Sequence, residues 1–171
     1  MAFKEISPYE IKDNTFKALD KDWMLICAPD ETKSCGANAM TASWGGLGFL
    51  WYKPVATLYV RPQRYTYSLT EEHDKFSLCF FDEKYRDALK VCGTKSGRDM
   101  DKITECGLTV NNELDAPAIN EARLILVCRK LYADNIKEEC FTDGATKDRA
   151  YPKKDFHRFY ICEIEKVLVA E

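Results

Sequence analysis

The sequence is poor in several features that would settle its role at once. It has only 2 His, and its 8 Cys are spread so that no C-x-x-C pair occurs. Too few imidazoles and no paired thiols remain to complete a zinc shell, so no metal is expected. No apolar run approaches the roughly 18 residues needed to cross a bilayer, so no membrane partner is expected. Charge is nearly balanced, with 25 Lys plus Arg against 28 Asp plus Glu and a net charge of −3. A nucleic-acid binder working by counterion release needs a basic field, and none is written here. Low-complexity stretches, internal repeats and Pro/Gly/Ser linkers are also missing, which favours one domain over residues 1–171. The opening residues are charged and lack the apolar stretch of a secretory signal, so the expected address is the cytoplasm. There a full-sized core needs no disulfides, and the cysteines are read mostly as buried, reduced thiols.

What is present is a globular composition rich in rings: 46% hydrophobic residues, with 9 Tyr, 9 Phe and 3 Trp. Ser7, Pro8 and Glu10 form a capping-box pattern, predicting a short helix over 8–20. Apolar runs at 23–28, 55–60, 75–81, 121–132 and 156–169 predict strands, and 37–44 reads as a further extended segment. Helices are predicted over 63–73 and 83–92, the second stopped by Gly93, and Asp99 is a candidate helix cap. Five or six strands with few helices between them imply a mainly β protein, a closed β-barrel with attached helices. Regular strand–helix alternation is missing. Gly45-Gly46-Leu47-Gly48 is followed by aromatics and Pro54, so it is no dinucleotide fingerprint but a bulge or a close backbone approach.

Three segments carry candidate chemistry. Arg61, Arg64, Tyr65 and Thr66 stand where a strand hands over to a helix, a natural anion site that two guanidinium groups would strengthen. The same arginines would also serve to solvate a helix start or to pair with Glu71, Glu72 or Asp74. Asn38, Met40, Thr41, Ser43 and Trp44 form a run of small and polar residues ending in a flat wall, suited to a planar polar ligand or to a tight strand crossing. In the third segment, Ser96 and Gly97 mark a turn, and Lys102 falls in the first turn of a helix, where the dipole gives it nothing. Lys102 is therefore a ligand candidate or an ordinary solvated lysine. His157 is the acid–base candidate; Asp155, two positions away, would hold its imidazole protonated.

Taken together, the run NAMTASWGGLGFLWYKPVATLYVRPQRYTYSL with FSLCFF, GTKSGRDMDK, EARLILVCRKLY and DFHRFYICEI closely resembles the flavin reductase-like family, the FMN-binding split barrels that include flavoredoxin. The resemblance spans about Trp23 to Ile164. It implies a six-stranded split barrel, a homodimer, and FMN near the subunit interface. It further implies that Asn38, Met40, Thr41 and Ser43 line the isoalloxazine with Trp44 close by. Arg61, Arg64, Tyr65 and Thr66 would anchor the phosphate and ribityl chain. Ser96, Gly97 and Lys102 would form a second contacting loop, with Asp155 and His157 near the flavin. Lys102 and His157 are the candidate catalytic groups. The activity implied is electron or hydride transfer from NAD(P)H through FMN to flavin or another acceptor. The alternative is a flavoredoxin-like shuttle reduced by an electron-donor protein.

Overall fold

The computed structural model describes residues 2–171. Strand β1 (Phe3–Ile6) leads through a single 3-10 turn to the short helix α1 (Thr15–Lys17), which continues as one wide turn over Ala18–Asp22. Strands β2 (Met24–Pro29), β3 (Ala37–Ala42), β4 (Gly45–Leu50) and β5 (Lys53–Val60) follow, then α2 (Tyr65–Glu72) and β6 (Lys75–Phe80). Helices α3 (Arg86–Thr94) and α4 (Lys102–Glu105) precede two small strands, β7 (Val110–Asn111) and β8 (Ala118–Ile119). The long strand β9 (Leu124–Asn135), helix α5 (Gly144–Ala150) and strand β10 (Arg158–Ala170) complete the chain.

The main sheet is antiparallel, in the order β3-β2-β6-β9-β10-β5-β4, with β1 added along β10. Its first and last strands, β3 and β4, are joined by only Ser43 and Trp44. Two linking residues span at most about 10 Å, so the sheet must curl almost into a cylinder. Yet β3 and β4 do not pair, and the barrel stays split. This corrects the closed barrel expected from the strand pattern. The main sheet also holds 8 strands where six were expected.

Alternation along the strands sends side chains into two cores. Met24, Ile26 and Ala28 of β2 join Leu124, Leu126 and Cys128 of β9 inside the curl. Leu25, Cys27, Ile125 and Val127 face outward under α3 and α4. The central strands are thus covered on both faces, as their unbroken apolar runs foretold.

Some local expectations need correction. The helix expected over 8–20 breaks: Ser7 does form its capping box with Glu10, but Asn14 caps a new start by accepting from the Lys17 amide. The glycine-rich segment is a regular strand in continuous register with β5, not a bulge. Close approach is the part that holds, since a Cβ on Gly45 would lie 2.7 Å from the Thr57 carbonyl oxygen. Gly93 lies inside α3 rather than after it, and the cap of α4 is Asp101, not Asp99. Strands β1, β7 and β8 are short and carried no periodicity long enough to read. Among the described residues no disulfide forms; five cysteines are buried, Cys35 and Cys106 half-buried, and Cys140 exposed. No group of residues that could hold a metal ion occurs among those described, nor is any helix there long and apolar enough to cross a membrane.

Candidate functional site

The start of α2 organises the site. Its N-cap, Arg64, is extended and makes no side-chain capping bond; the Tyr67 amide bonds the Arg64 carbonyl at 3.0 Å, and the Tyr65 and Thr66 amides are left to whatever enters the cavity there. That cavity, of about 140 Å³, is lined from one side by Gln63, Arg64, Tyr65 and Thr66. The other side is built from one continuous stretch, Gly93 to Gly97, together with Lys102. Six residues singled out from the sequence, Arg64, Tyr65, Thr66, Ser96, Gly97 and Lys102, therefore meet around one small space.

Its polar groups are tightly held. Arg64 donates Nη1 to the Gly93 carbonyl at 2.9 Å and Nη2 to the Cys92 carbonyl at 3.0 Å, satisfying the C-terminal end of α3. Neither the acidic residues of α2 nor Asp74 engages Arg64 in an ion pair. Lys102 is 2% exposed and donates to the same Cys92 carbonyl at 3.3 Å. Burial lowers its pKa to about 8, against the opposing pull of Cys92, and Arg64 lowers it further. A desolvated cation with no carboxylate beside it is a site waiting for negative charge. Behind it, buried Asn38 donates Nδ2 to Thr66 Oγ1 at 2.9 Å, so the Thr66 hydroxyl keeps its own proton to give. Gly97 is wedged against this pair: a Cβ there would lie 2.2 Å from Asn38 Oδ1 and 2.6 Å from the Tyr65 ring.

The cradle opens past Gly93 and Thr94 into a groove of about 270 Å³, lined also by Trp23, Thr41, Ser43, Leu89 and Lys90. Strand β3 is the terminal strand of the main sheet, so the outer edge of its backbone has no ladder partner there. Thr41 and Ser43 point to this side. Met40 does not, since its side chain is packed in the barrel interior at 4% exposure. Trp23 at the groove wall holds φ at +66°, an uncommon angle for so bulky a residue, secured by its indole bond to the Asp20 carbonyl and by Arg86 over its ring. Beyond Ser43 lies a third, larger groove of about 800 Å³ with Trp44, Tyr59, Leu19 and Phe16 in its walls.

Arg61 is not part of the cradle. It forms an ion pair with Asp155, donates to the Ala150 carbonyl, and lies between the rings of Trp44 and Tyr151. The paired arginines expected from spacing thus face different surroundings. The expected protonated imidazole is also corrected. His157 is buried, its Nδ1 bonds the Tyr151 hydroxyl at 2.8 Å, and burial with Arg61 lowers its pKa to about 4 despite Asp155. Asp155 is occupied by Arg61 and Gln63. His157 stands behind Trp44, ring centroids 4.9 Å apart, and lines none of the three grooves.

A stability prediction follows. The ordinary imidazole pKa is 6.5 and the folded value about 4. The unfolded chain therefore takes up the proton first, and stability contributed by neutral His157 is lost as pH falls from 6.5 toward 4. Its worth above that window is on the order of 3 kcal/mol. Acid melts of His157→Gln should show a flattened slope across this interval compared with the parent.

Sequence reasoning missed Gln63, Thr94 and Lys95 in the cradle, Trp23 and Leu89 in the groove, and Tyr151 behind His157. Gly93 read as punctuation for a helix, and nothing in the local pattern around Tyr151 pointed to a partner.

The model of the flavin reductase like domain matches residues 20–171, nearly the whole chain. The chain belongs to the flavin reductase-like family. Solved structures agree on the split-barrel fold. Flavoredoxin of Desulfovibrio vulgaris (Miyazaki F) superposes with a TM-score of 0.67 at 22% identity, covering 87% of this chain and 69% of that one. Flavoredoxin from Methanosarcina acetivorans gives 0.67 at 23% identity, covering 97% and 77%. The Streptomyces globisporus NADH:FAD oxidoreductase gives 0.62 at 13% identity, covering 87% and 75%. No curated protein matches the sequence.

Proposed function

We propose that this family member is an FMN-dependent oxidoreductase that takes hydride from NAD(P)H and passes electrons to flavin or another acceptor. The observation that carries the reading is the meeting of Arg64, Lys102, Ser96 and the uncapped start of α2 on one phosphate-sized cavity. Because the cations gather around a single small space, FMN with its one terminal phosphate suits the cradle better than FAD. Arg64 and Lys102 would neutralise the phosphate, with the Ser96 and Thr66 hydroxyls and the Tyr65 and Thr66 amides donating hydrogen bonds. Tyr65 and Gly97 would wall the ribityl chain. The ring would lie in the adjoining groove against Thr41, Ser43 and the free edge of β3, with Asn38 and Met40 contributing through the strand that carries them. When bound, FMN supplies a centre that accepts a hydride at N5. The chain's own task is to hold the ring, leave one face open, and offer main-chain amides of residues 40–43 to negative charge near N1 and O2. Lys102 stands at the tail end of the site and is assigned to anchoring. Trp44 and Tyr59 would shape the larger groove for the hydride donor, with His157 and Arg61 propping Trp44 from behind.

The purified protein is expected to be yellow and to bleach on anaerobic mixing with NADH or NADPH. A colourless protein that takes up no added FMN would overturn the reading. A yellow protein inert to both nicotinamides would instead support an electron shuttle served by a protein donor, the reading favoured by the flavoredoxins among the structural neighbours.

Affinity should also depend on pH. Below its pKa of about 8 Lys102 carries the charge that the phosphate needs. Raising the pH through that value should weaken FMN binding, by up to about tenfold per pH unit, until the bound lysine also loses its proton. Fluorescence titrations across this range, with Lys102→Gln as the pH-insensitive reference, check it.

We also propose a homodimer. Phe49, Trp51 and Tyr52 are exposed by 61%, 50% and 95% at the β4–β5 hairpin, whose turn residues Trp51 and Tyr52 both have positive φ. Such a turn ordinarily favours Asn-Gly, and so large an apolar tip calls for cover. Sedimentation at twice the chain mass is expected; the monomer mass at all concentrations, with flavin bound, would refute it.

A further inference from the structure

The second wall of the cradle runs from Gly93 to Lys102, and a cysteine stands just outside each end of it: Cys92 on α3 and Cys106 at the C-terminal cap of α4. The two helices pack so that Cys106 lies against the last turns of α3, beside Cys92. Lys102, one turn before Cys106, reaches the Cys92 carbonyl at 3.3 Å, and Cys106 Sγ lies 3.9 Å from the carbonyl of Ala88, one turn before Cys92. Cys106 Sγ thus faces the turn of α3 that carries Cys92, close enough that each thiol shifts the acidity of the other. Cys92 is fully buried, whereas Cys106 is half-buried and within reach of a small reagent.

We propose that Cys92 and Cys106 are a disulfide-forming pair that fastens together the two ends of the phosphate-contacting stretch. The oxidant is a small-molecule disulfide such as oxidised glutathione. The Cys106 thiolate attacks one sulfur of that disulfide, forming a mixed disulfide and releasing one thiol. The Cys92 thiolate then attacks Cys106 Sγ, forming the Cys92–Cys106 bond and expelling the second thiol. Two protein thiols are oxidised and one disulfide is reduced to two thiols, with the thiol protons ending on the released thiols. Burial pushes Cys92 up to about 12 while Lys102 draws it down, so the second step is slow at neutral pH and quickens in mild alkali. In a reducing cytoplasm the pair stays open.

Closing the bond joins the ends of every cradle residue contributed by this part of the chain, Lys102 and Ser96 included, while leaving Arg64 and Thr66 untouched. A stretch held at both ends is pre-organised for its ligand, so bound FMN should leave several-fold more slowly. This consequence rests on the flavin reading; the cross-link itself does not.

The test exposes the full-length holoprotein to graded oxidised glutathione, alkylates remaining thiols after unfolding, digests without reductant, and identifies linked peptides by mass. FMN release on dilution is followed by fluorescence in parallel. The expected result is a Cys92–Cys106 linked peptide, loss of two alkylatable thiols, and slowed FMN release that Cys106→Ser abolishes. Full alkylation of Cys92 while Cys106 and exposed Cys140 carry glutathione would overturn the pair. A cross-link with unchanged FMN release would overturn the fastening, and a cross-link in a protein that never binds FMN would leave the pair standing while sinking the flavin assignment.

Discussion

Lys102→Met is expected to make the protein more stable and bind flavin less well. Few substitutions separate these two effects so cleanly. The ammonium is 2% exposed, touches one carbonyl, and has its pKa lowered by burial from 10.5 to about 8. Holding it protonated at neutral pH costs the fold on the order of 3 kcal/mol. A thioether of similar length removes that cost, so thermal melts at neutral pH should shift upward by about 1–3 kcal/mol. The sign can be checked independently. The unfolded chain keeps its lysine proton up to 10.5 while the fold releases it near 8. The stability of the parent should therefore rise over that window, and the Met variant should lack the rise. Binding moves the other way. Losing a charge-assisted bond to phosphate should weaken FMN by about 10–100-fold. A variant that lost stability and kept its affinity would remove Lys102 from the site.

The second large effect belongs to Gly97. Its Cα sits so near Asn38 that a single methyl group would fall 2.2 Å from Oδ1 and 2.9 Å from Cγ, with the Tyr65 ring at 2.6 Å. Asn38 has nowhere to retreat, being 2% exposed and bonded to Thr66. Gly97→Ala must displace either the amide that orients the Thr66 hydroxyl or the turn that presents Ser96. The expected outcome is a loss of about 1–3 kcal/mol in stability from overpacking and a loss of about 10–100-fold in FMN affinity from the disturbed donors. Gly48→Ala is the matched control. Its added methyl meets nothing within 4 Å, so melts and titrations should leave it near the parent. Equal behaviour of the two variants would show that Gly97 does not shape the cradle.

Much of the site was legible because its residues cluster along the chain. Arg64, Tyr65 and Thr66 announce themselves at a strand-to-helix junction, where unpaired amides and cations suit an anion. Ser96 and Gly97 mark a turn, and Lys102 stands at a helix start where the dipole offers it nothing. Arg61 was misjudged for the opposite reason. Three residues before Arg64 it looks like a companion, but its partner Asp155 is 94 positions away. His157 was misjudged likewise: a carboxylate two residues away suggested a charged ring, whereas burial and Arg61 decide its neutrality. Sequence spacing reports neighbours along a strand, and desolvation depends on what folds over it. The glycine-rich strand β4 was missed because glycine has poor strand propensity, and only its continuous pairing with β5 holds it extended.

The amino-acid sequence by itself determined the mainly β class, the doubly covered central strands and the strand-to-helix junction at Arg64 to Thr66 that we propose holds an anion. These follow from local periodicity and from the chemistry of adjacent groups. Tertiary structure alone decided that the barrel stays split, since closure depends on whether β3 and β4 align after the whole sheet has curled. It also decided that the cradle's second wall comes from the stretch between α3 and α4, and that Lys102 is a buried cation rather than a solvated one. Each of these depends on contacts between segments far apart in the chain, which no short window of sequence contains.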